Sequence, residues 1–216
     1  VSSVSAANGK NCTIALSGGD TPRKLFSYIH GHDRNISWST IDIFMVDERI
    51  VPHAHPASNY GMIKALLTGF DSARSPRLIP VPISKDPDVS ARAYETALRR
   101  YFRLDRGMLP RLDLVMLGIG EDGHTASLFP DMNDLLSDKK LVFASKHEYN
   151  RYKRVSLSLA VINNAKNIVF LVTGKKKAAI VRKVLRDAAG IYPASQVAPR
   201  DGTIRYMLDR EAAQEL

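Results

Sequence analysis

A single cysteine in 216 residues, Cys12, excludes an internal disulfide. A cross-linked scaffold is therefore out. The low thiol count fits a reducing compartment, and the cytoplasm is the expected location. Apolar runs are short, and none reaches the ~18 residues that a bilayer-spanning helix needs, so no membrane partner is expected. Aromatic residues make up only 7 % of the chain, with one tryptophan, too few to offer a row of stacking platforms to single-stranded nucleic acid. The phosphate-loop pattern GxxxxGK followed by Ser or Thr is missing. The six histidines form no HxxxH pair. His53 and His55 stand two apart between Pro52 and Pro56, which reads as a loop, so no metal is expected. Helix-turn-helix, RNA-recognition and zinc-finger patterns are also lacking. No basic segment followed by an apolar one opens the chain at Val1, so a secretory leader is not expected.

What is present is ordinary globular composition, 44 % hydrophobic and 25 % charged. The length predicts one domain over residues 1–216, and a monomer is the expected state. The charge is less ordinary. Thirty-one Lys and Arg against 22 Asp and Glu leave a net +9. Residues 139–186 alone hold thirteen of the basic residues and a single acid, Glu148. A regional excess of this kind suits a nucleic acid, an anionic lipid or a small phosphorylated substrate, or is simply a solvated basic face.

Near-continuous apolar runs at Thr13–Leu16, Ile41–Val46, Leu112–Leu117 and Ile168–Val172 predict strands covered on both faces. Amphipathic stretches lie between them. Asp88–Leu104 places Ala91, Tyr94, Ala97, Leu98, Tyr101 and Phe102 near helical spacing. Lys176–Ala188, Pro22–Ile29 and Asn59–Leu67 also read as helices. Strands alternating with helices predict an α/β fold, a mostly parallel, Rossmann-like sheet flanked by helices. Ser72–Pro87 and Pro130–Lys140 read as loops. Val1–Ala7, stopped at Asn8-Gly9, reads as the end of a helix capped by Gly9.

Four constellations carry chemistry. Leu16-Ser17-Gly18-Gly19-Asp20-Thr21-Pro22 follows a strand and opens a helix, with Thr21 suited to the N-cap and Pro22 to the first helical position. Exposed amides at such a junction bind anions, although the same residues also make a plain tight turn. Asp20 would repel a phosphate unless it points away or caps the helix. Val46-Asp47-Glu48-Arg49 ends another strand, where ligands gather in open α/β sheets. It is either part of a site or a surface ion pair. Ser58 or Asn59 then caps the next helix.

The third constellation is Leu117 to Pro130, LGIGEDGHTASLFP. It sets Asp122 and His124 in a glycine-rich loop beyond the strongest strand. A histidine side chain titrates near ~6.5 and can take a proton at neutral pH, which makes His124 a general-base candidate. The spacing of Gly118, Gly120 and Gly123 matches GxGxxG only formally, since no ribose-binding acid stands ~20 residues on. The fourth is basic: Arg151-Tyr152-Lys153-Arg154, and Gly174-Lys175-Lys176-Lys177 after a strand. Arg suits a bidentate phosphate grip and Lys a point-charge contact. Cys12 reads as a small core residue rather than a nucleophile.

In this order, LSGGDTP, VDERIVPHAHPASNY and LGIGEDGHTASLFP resemble the 6-phosphogluconolactonase family, within the wider group of glucosamine-6-phosphate deaminases and ribose-5-phosphate isomerases. The likeness runs from about Thr13 to Ala213. Weaker matches are Arg154 before VSLSL, Lys177 in VTGKKKA, the stretch Pro193–Val197 and the closing MLDREAA. The resemblance implies hydrolysis of 6-phosphogluconolactone to 6-phosphogluconate, a step of the oxidative pentose phosphate pathway, without a cofactor. It implies His124 as the base that activates water and either Asp47 or Asp122 as its orienter. Backbone amides of the glycine loops would meet the developing negative charge. The phosphate would be held by Gly18, Gly19, Asp20 and Thr21 through their amides, and by Arg49, Arg154 and Lys177.

The family usually has Ser where this chain has Asp20, and it begins with a longer helix before the first strand. Two other readings remain. One is an amino-sugar phosphate deaminase or isomerase of the same fold. The deaminases carry a glutamate in a segment ending Asn-Glu-Pro, however, and here Phe129 precedes Pro130. The other is a protein that binds sugar phosphate or nucleic acid without catalysis, which the intact Asp-Gly-His loop argues against.

Overall fold

The computed structural model describes residues 11–32, 36–68, 75–132, 140–145, 151–186 and 190–216. The helix expected before Asn8-Gly9 and most of the loop expected at Pro130–Lys140 lie outside these residues. The four apolar runs form β1 (Cys12–Leu16), β2 (Ile41–Met45), β5 (Leu114–Leu117) and β8 (Asn167–Val172). They pair in parallel, with Leu16 opposite both Met45 and Met116 and with Leu117 opposite Phe170. Two edge strands complete a six-stranded sheet of order β4-β2-β1-β5-β8-β9. They are β4 (Arg77–Ile79) and β9 (Thr203–Leu208). The mostly parallel sheet predicted from the runs is therefore present.

β4 corrects the loop expected at Ser72–Pro87. Three residues between prolines carry no readable alternation, and the strand is secured by a side chain. Arg77 donates from Nε and Nη2 to the two oxygens of Asp42 at 2.9 and 2.8 Å. Asp42 sits in β2 with 1 % exposure and also accepts from Asn11 and Tyr101. Burial pushes its carboxyl up, but the hydrogen bonds from Arg77, Tyr101 and Asn11 and the Arg77 charge outweigh that and hold it below the usual range.

A second, antiparallel sheet of order β3-β7-β6 was not foreseen. It comprises β3 (Asp47–Arg49), β6 (Val142–Ser145) and β7 (Arg154–Leu157). Leu157 donates its amide to the Val46 carbonyl at 2.8 Å, which couples the two sheets where β2 hands over to β3.

The helices are α1 (Asp20–His32), α2 (Asn59–Leu67), α3 (Pro87–Phe102), α4 (Leu159–Asn163) and α5 (Ala178–Arg186). α2 has the expected span, with Ser58 accepting from the Gly61 amide at 3.0 Å. α3 starts with Pro87 behind an Asp86 cap and stops at Arg103 in the left-handed region. α1 starts earlier than expected. Gly19, at φ +111°, turns the chain at once, and its carbonyl accepts from Arg23 at 3.1 Å. Thr21 is thus inside the helix rather than its cap, and its hydroxyl bonds that of Thr173 at 2.8 Å. Pro22 still lies in the first turn, where a missing N–H costs nothing.

Tyr94 of α3 is fully buried. Its hydroxyl donates to the Met45 carbonyl and accepts from the Met45 amide, both at 2.9 Å. It satisfies both polar groups at the end of β2, next to Asp47. Burial raises its pKa. Tyr94→Phe leaves two buried backbone groups unpaired. We expect a loss of ~1–3 kcal/mol, read as a lower urea midpoint at unchanged m-value.

Candidate active site

The loops that leave the carboxyl ends of β1, β2, β5 and β8 meet around one cleft of about 930 Å³. The chain runs from β1 through α1 to β2 on one side, and later returns to β5 on the other. The loops after β1 and β5 therefore part, and in open α/β sheets ligands bind in such a gap. From the β1 end the cleft is lined by Gly18, Gly19, Asp20 and Thr21. Asp47, Arg49 and Arg154 come from the antiparallel sheet, His124 from beyond β5, and Lys177 from beyond β8. All of these residues were singled out from sequence. Asp122 is not in the lining and stands behind His124.

His124 is built into a tight turn. Its carbonyl accepts from the Gly120 amide at 2.8 Å, and the Gly120 carbonyl accepts from Gly123 at 3.0 Å. Asp122 Oδ1 accepts from the His124 amide at 3.2 Å and lies 2.5 Å from His124 Nδ1. Burial raises the Asp122 carboxyl, but the hydrogen bond and charge of His124 more than offset it, and its pKa is lowered to about 2. Space for the pair depends on Gly120. A Cβ there would lie 2.1 Å from His124 Nδ1 and 2.6 Å from Asp122 Oδ1. The Phe129 ring packs on the imidazole with centroids 4.7 Å apart.

Asp47 does not share the His124 ring with Asp122 in this way. Its carboxyl accepts from Ser127 Oγ at 2.7 Å and Asn59 Nδ2 at 3.2 Å, and lies 3.6 Å from Arg154 Nη1. Both Asp47 and Arg154 are almost fully buried. Glu48 points the other way. It accepts from the amides of Arg49, Asn59 and Tyr60, each at 2.8 Å, and from Ser58 Oγ at 3.0 Å. It therefore fixes the start of α2 against β3. Burial pushes its carboxyl up against the pull of those amides.

Arg49 and Arg154 stand directly opposite one another in the β3–β7 pairing. Like charges at such positions repel. Asp47 offsets one of them. Arg49 donates from Nη1 to the Ala57 carbonyl at 2.7 Å, while its buried Nε has no hydrogen-bond partner. The amides of Gly18 and Gly19 likewise donate to nothing among the described residues. Open donors and excess positive charge thus face one cleft, the chemistry of an anion site. Half-buried Lys177 adds to it. Burial lowers its pKa, and the charges of Glu121 and Asp122 raise it.

Sequence reasoning missed several contributors. Asn59, read only as a possible cap, bridges Asp47 and the β1 loop. Its Nδ2 also donates to the Asp47 carbonyl at 2.9 Å, and its side chain fills the space where a Gly18 Cβ would sit. Thr173, Asp209 and Glu211 line the cleft. Asp209 accepts from the Gly174 amide at 3.0 Å and from the Ala212 amide at 2.7 Å. Only the run MLDREAA pointed toward these acids. Among the described residues, no three His, Cys, Asp or Glu side chains gather as a metal site, and no helix is long and apolar enough to cross a membrane.

Gly120→Ala is expected to part His124 from Asp122 while leaving the sheets intact. The check is loss of the strongly deshielded Nδ1 proton signal of the pair in NMR. Acid stability provides a second check. A carboxyl lowered in the folded state contributes stability above its ordinary value of 3.8, and this is lost as pH falls toward about 2. Across that window the wild type should lose stability that the variant no longer has to lose.

Comparison with known proteins matches this arrangement to one group. The description "Glucosamine-6-phosphate isomerases/6-phosphogluconolactonase" covers residues 2–206. A 6-phosphogluconolactonase of Synechocystis sp. is 35 % identical over 209 residues, covering 94 % of this chain and 84 % of that protein. The crystal structure of devB protein superimposes with a TM-score of 0.87 at 31 % identity, covering 99 % of this chain and 90 % of that one. The crystal structure of 6-phosphogluconolactonase from Leishmania guyanensis does so with a TM-score of 0.82 at 28 % identity, over 100 % of this chain and 90 % of that one. The chain belongs to the glucosamine-6-phosphate isomerase/6-phosphogluconolactonase family.

Proposed function

We propose that the protein is a 6-phosphogluconolactonase that hydrolyses 6-phosphogluconolactone to 6-phosphogluconate, with His124 as general base. The observation that carries this reading is His124, backed by Asp122, lining the same cleft as the opposed arginines, Arg49 and Arg154. With Nδ1–H donated to Asp122, the lone pair of the neutral ring is on Nε2. That nitrogen takes a proton from water as the water oxygen attacks the lactone carbonyl. The tetrahedral intermediate then collapses, the ring C–O bond breaks, and the proton passes to the departing oxygen. One water is consumed, and an open-chain acid is released. Asp122 acts as the positioning residue, since its depressed pKa keeps it a carboxylate across the working range.

The negative charge that develops on the carbonyl oxygen needs donors. The amides of Gly120, Gly123 and His124 are already engaged inside their own turn. The open amides of Gly18 and Gly19 and the cleft cations are therefore left for the substrate's anionic groups. Asp47 serves here by holding Arg154 and Asn59 rather than by touching the base. The deaminase reading is disfavoured by Phe129. An apolar ring packs on His124 where that chemistry would place an acid.

The test generates the lactone in place from glucose 6-phosphate with excess dehydrogenase and follows its loss above the spontaneous rate. Wild-type acceleration that falls ~10²–10⁴-fold in His124→Ala is expected for a general base, and unchanged turnover in that variant would refute the assignment. Arg49→Ala should mainly raise KM, because the phosphate is gripped in ground and transition state alike. Arg49 is a cleaner probe than Arg154, whose removal would also strand the buried Asp47. Asp20→Asn removes an exposed carboxylate beside the open amides. Screened repulsion of up to ~1 kcal/mol predicts a KM decrease of up to about fivefold at unchanged kcat.

A further inference from the structure

The stretch Pro193–Val197 has no part in the chemistry above, yet it is firmly built. Pro193, Ala194 and Val197 are buried. The Tyr192 carbonyl accepts from the Ser195 amide at 2.9 Å and from its hydroxyl at 2.7 Å. Gln196 Nε2 donates to the Gly190 carbonyl at 2.7 Å. Asn163, the last residue of α4, donates from Nδ2 to the Gln196 carbonyl at 3.1 Å and accepts from the Ala198 amide at 2.9 Å. The segment is thereby fastened to the unit that begins with Arg154 in β7 and runs directly into α4.

Its other side meets the His124 turn. The Ala194 amide donates to the Gly123 carbonyl at 3.1 Å. Gly123 is held at φ +85°, and the Tyr192 side chain fills the place of its missing Cβ. A Cβ there would lie 2.3 Å from Tyr192 Cδ1 and 2.8 Å from Cγ. A residue two positions before His124's neighbour Thr125 is therefore clamped from outside, by ring carbons on one side and an amide on the other. Without this clamp, a glycine-rich turn has more backbone conformations available to it than most segments.

We propose that Tyr192 is a positioning residue for His124. The strap at residues 190–198 presses the Gly120–His124 turn into the one conformation that pairs the imidazole with Asp122, and ties that turn to the strand carrying Arg154. The proposal deepens the reading of His124 as the base and rests on it. A small displacement of a catalytic group costs up to ~10²-fold in rate, so Tyr192 should act on kcat and leave anion binding alone.

The experiment compares Tyr192→Ala, Tyr192→Leu and Tyr192→Phe in the lactonase assay, with amide hydrogen exchange measured on the same proteins. Tyr192→Ala is expected to lower kcat about tenfold with KM within about twofold of wild type. Its exchange should speed up at Gly120, Gly123 and Ala194 but not in β1, β5 or β8. Tyr192→Phe should behave as wild type, because ring carbons and not the hydroxyl make the contact. Tyr192→Leu keeps apolar bulk and should fall between them, which preserves the test if the alanine variant does not fold. Wild-type kcat in the alanine or leucine variant would overturn the proposal. So would an equal loss in the phenylalanine variant, or faster exchange spread over the whole sheet. Turnover surviving in His124→Ala would strike the base assignment alone, since exchange reports the strap's hold on the turn without any catalysis.

Discussion

A carboxyl group buried at position 47 has to find donors, because an unpaired charge in a protein interior is too costly to keep. Asp47 finds hydrogen-bond donors in Ser127 and Asn59 and a counter-charge in Arg154, which belong to the loop after β5, to the start of α2 and to β7. Satisfying that one group thus draws three separate stretches of chain to the end of β2. The consequences extend outward. Asn59, once held by Asp47, occupies the space beside Gly18 and so shapes the β1 loop. Arg154, held by Asp47, stands opposite Arg49, whose guanidinium has no carboxylate of its own within ion-pair distance among the described residues. The surplus positive charge is left facing the cleft, as the anion-binding reading proposed above requires.

The histidine side of the cleft rests on a different principle. His124 gains its orientation from absent side chains. Gly120 leaves room for the imidazole–carboxyl pair, and Gly123 leaves room for Tyr192. At neither position could a Cβ be added without displacing something. The two halves of the site are therefore held by opposite means, one by charge pairing in a buried network and the other by steric fit around a bare backbone. This division explains why Asp122 rather than Asp47 lies against the ring. Asp122 is two residues away on the same turn, whereas Asp47 is already committed to Ser127, Asn59 and Arg154.

Much of this was legible in the sequence for a physical reason. β1 and β2 are buried at every residue and are apolar almost throughout. β5 and β8 alternate buried and half-buried residues, not covered on both faces as expected, yet their runs are apolar enough to read as strands. The glycines and charged residues at the ends of these strands marked the cleft. The rest was not legible because its cause is non-local. β9 alternates exposed and half-buried residues at the sheet edge, so it lacks a continuous run. β3 and β6 have only three and four residues, too short for a period to show. The opposition of Arg49 and Arg154 exists only in the β3–β7 register, which no local spacing encodes. The start of α1 shifted because Gly19 adopts a positive φ that no other residue would favour there, a choice the neighbouring Thr and Pro could not reveal.

The basic window at 139–186 can now be divided by position. Arg154, Lys175, Lys176 and Lys177 line the cleft, while Arg151, Lys153, Arg182, Lys183 and Arg186 are exposed elsewhere. Lys166 is paired with Asp113 at 2.7 Å. A surface built to follow a nucleic-acid backbone needs its cations in an open stripe. Here Arg154, almost fully buried, lines the same cleft of about 930 Å³ as His124. A confined cleft lined by one sign of charge focuses its field and raises the local concentration of a small anion. The outer lysines and arginines extend that field into solvent, where salt screens it within ~8–10 Å. The same regional charge that permits several partners when read along the chain therefore favours a small phosphorylated molecule once its members are placed in space.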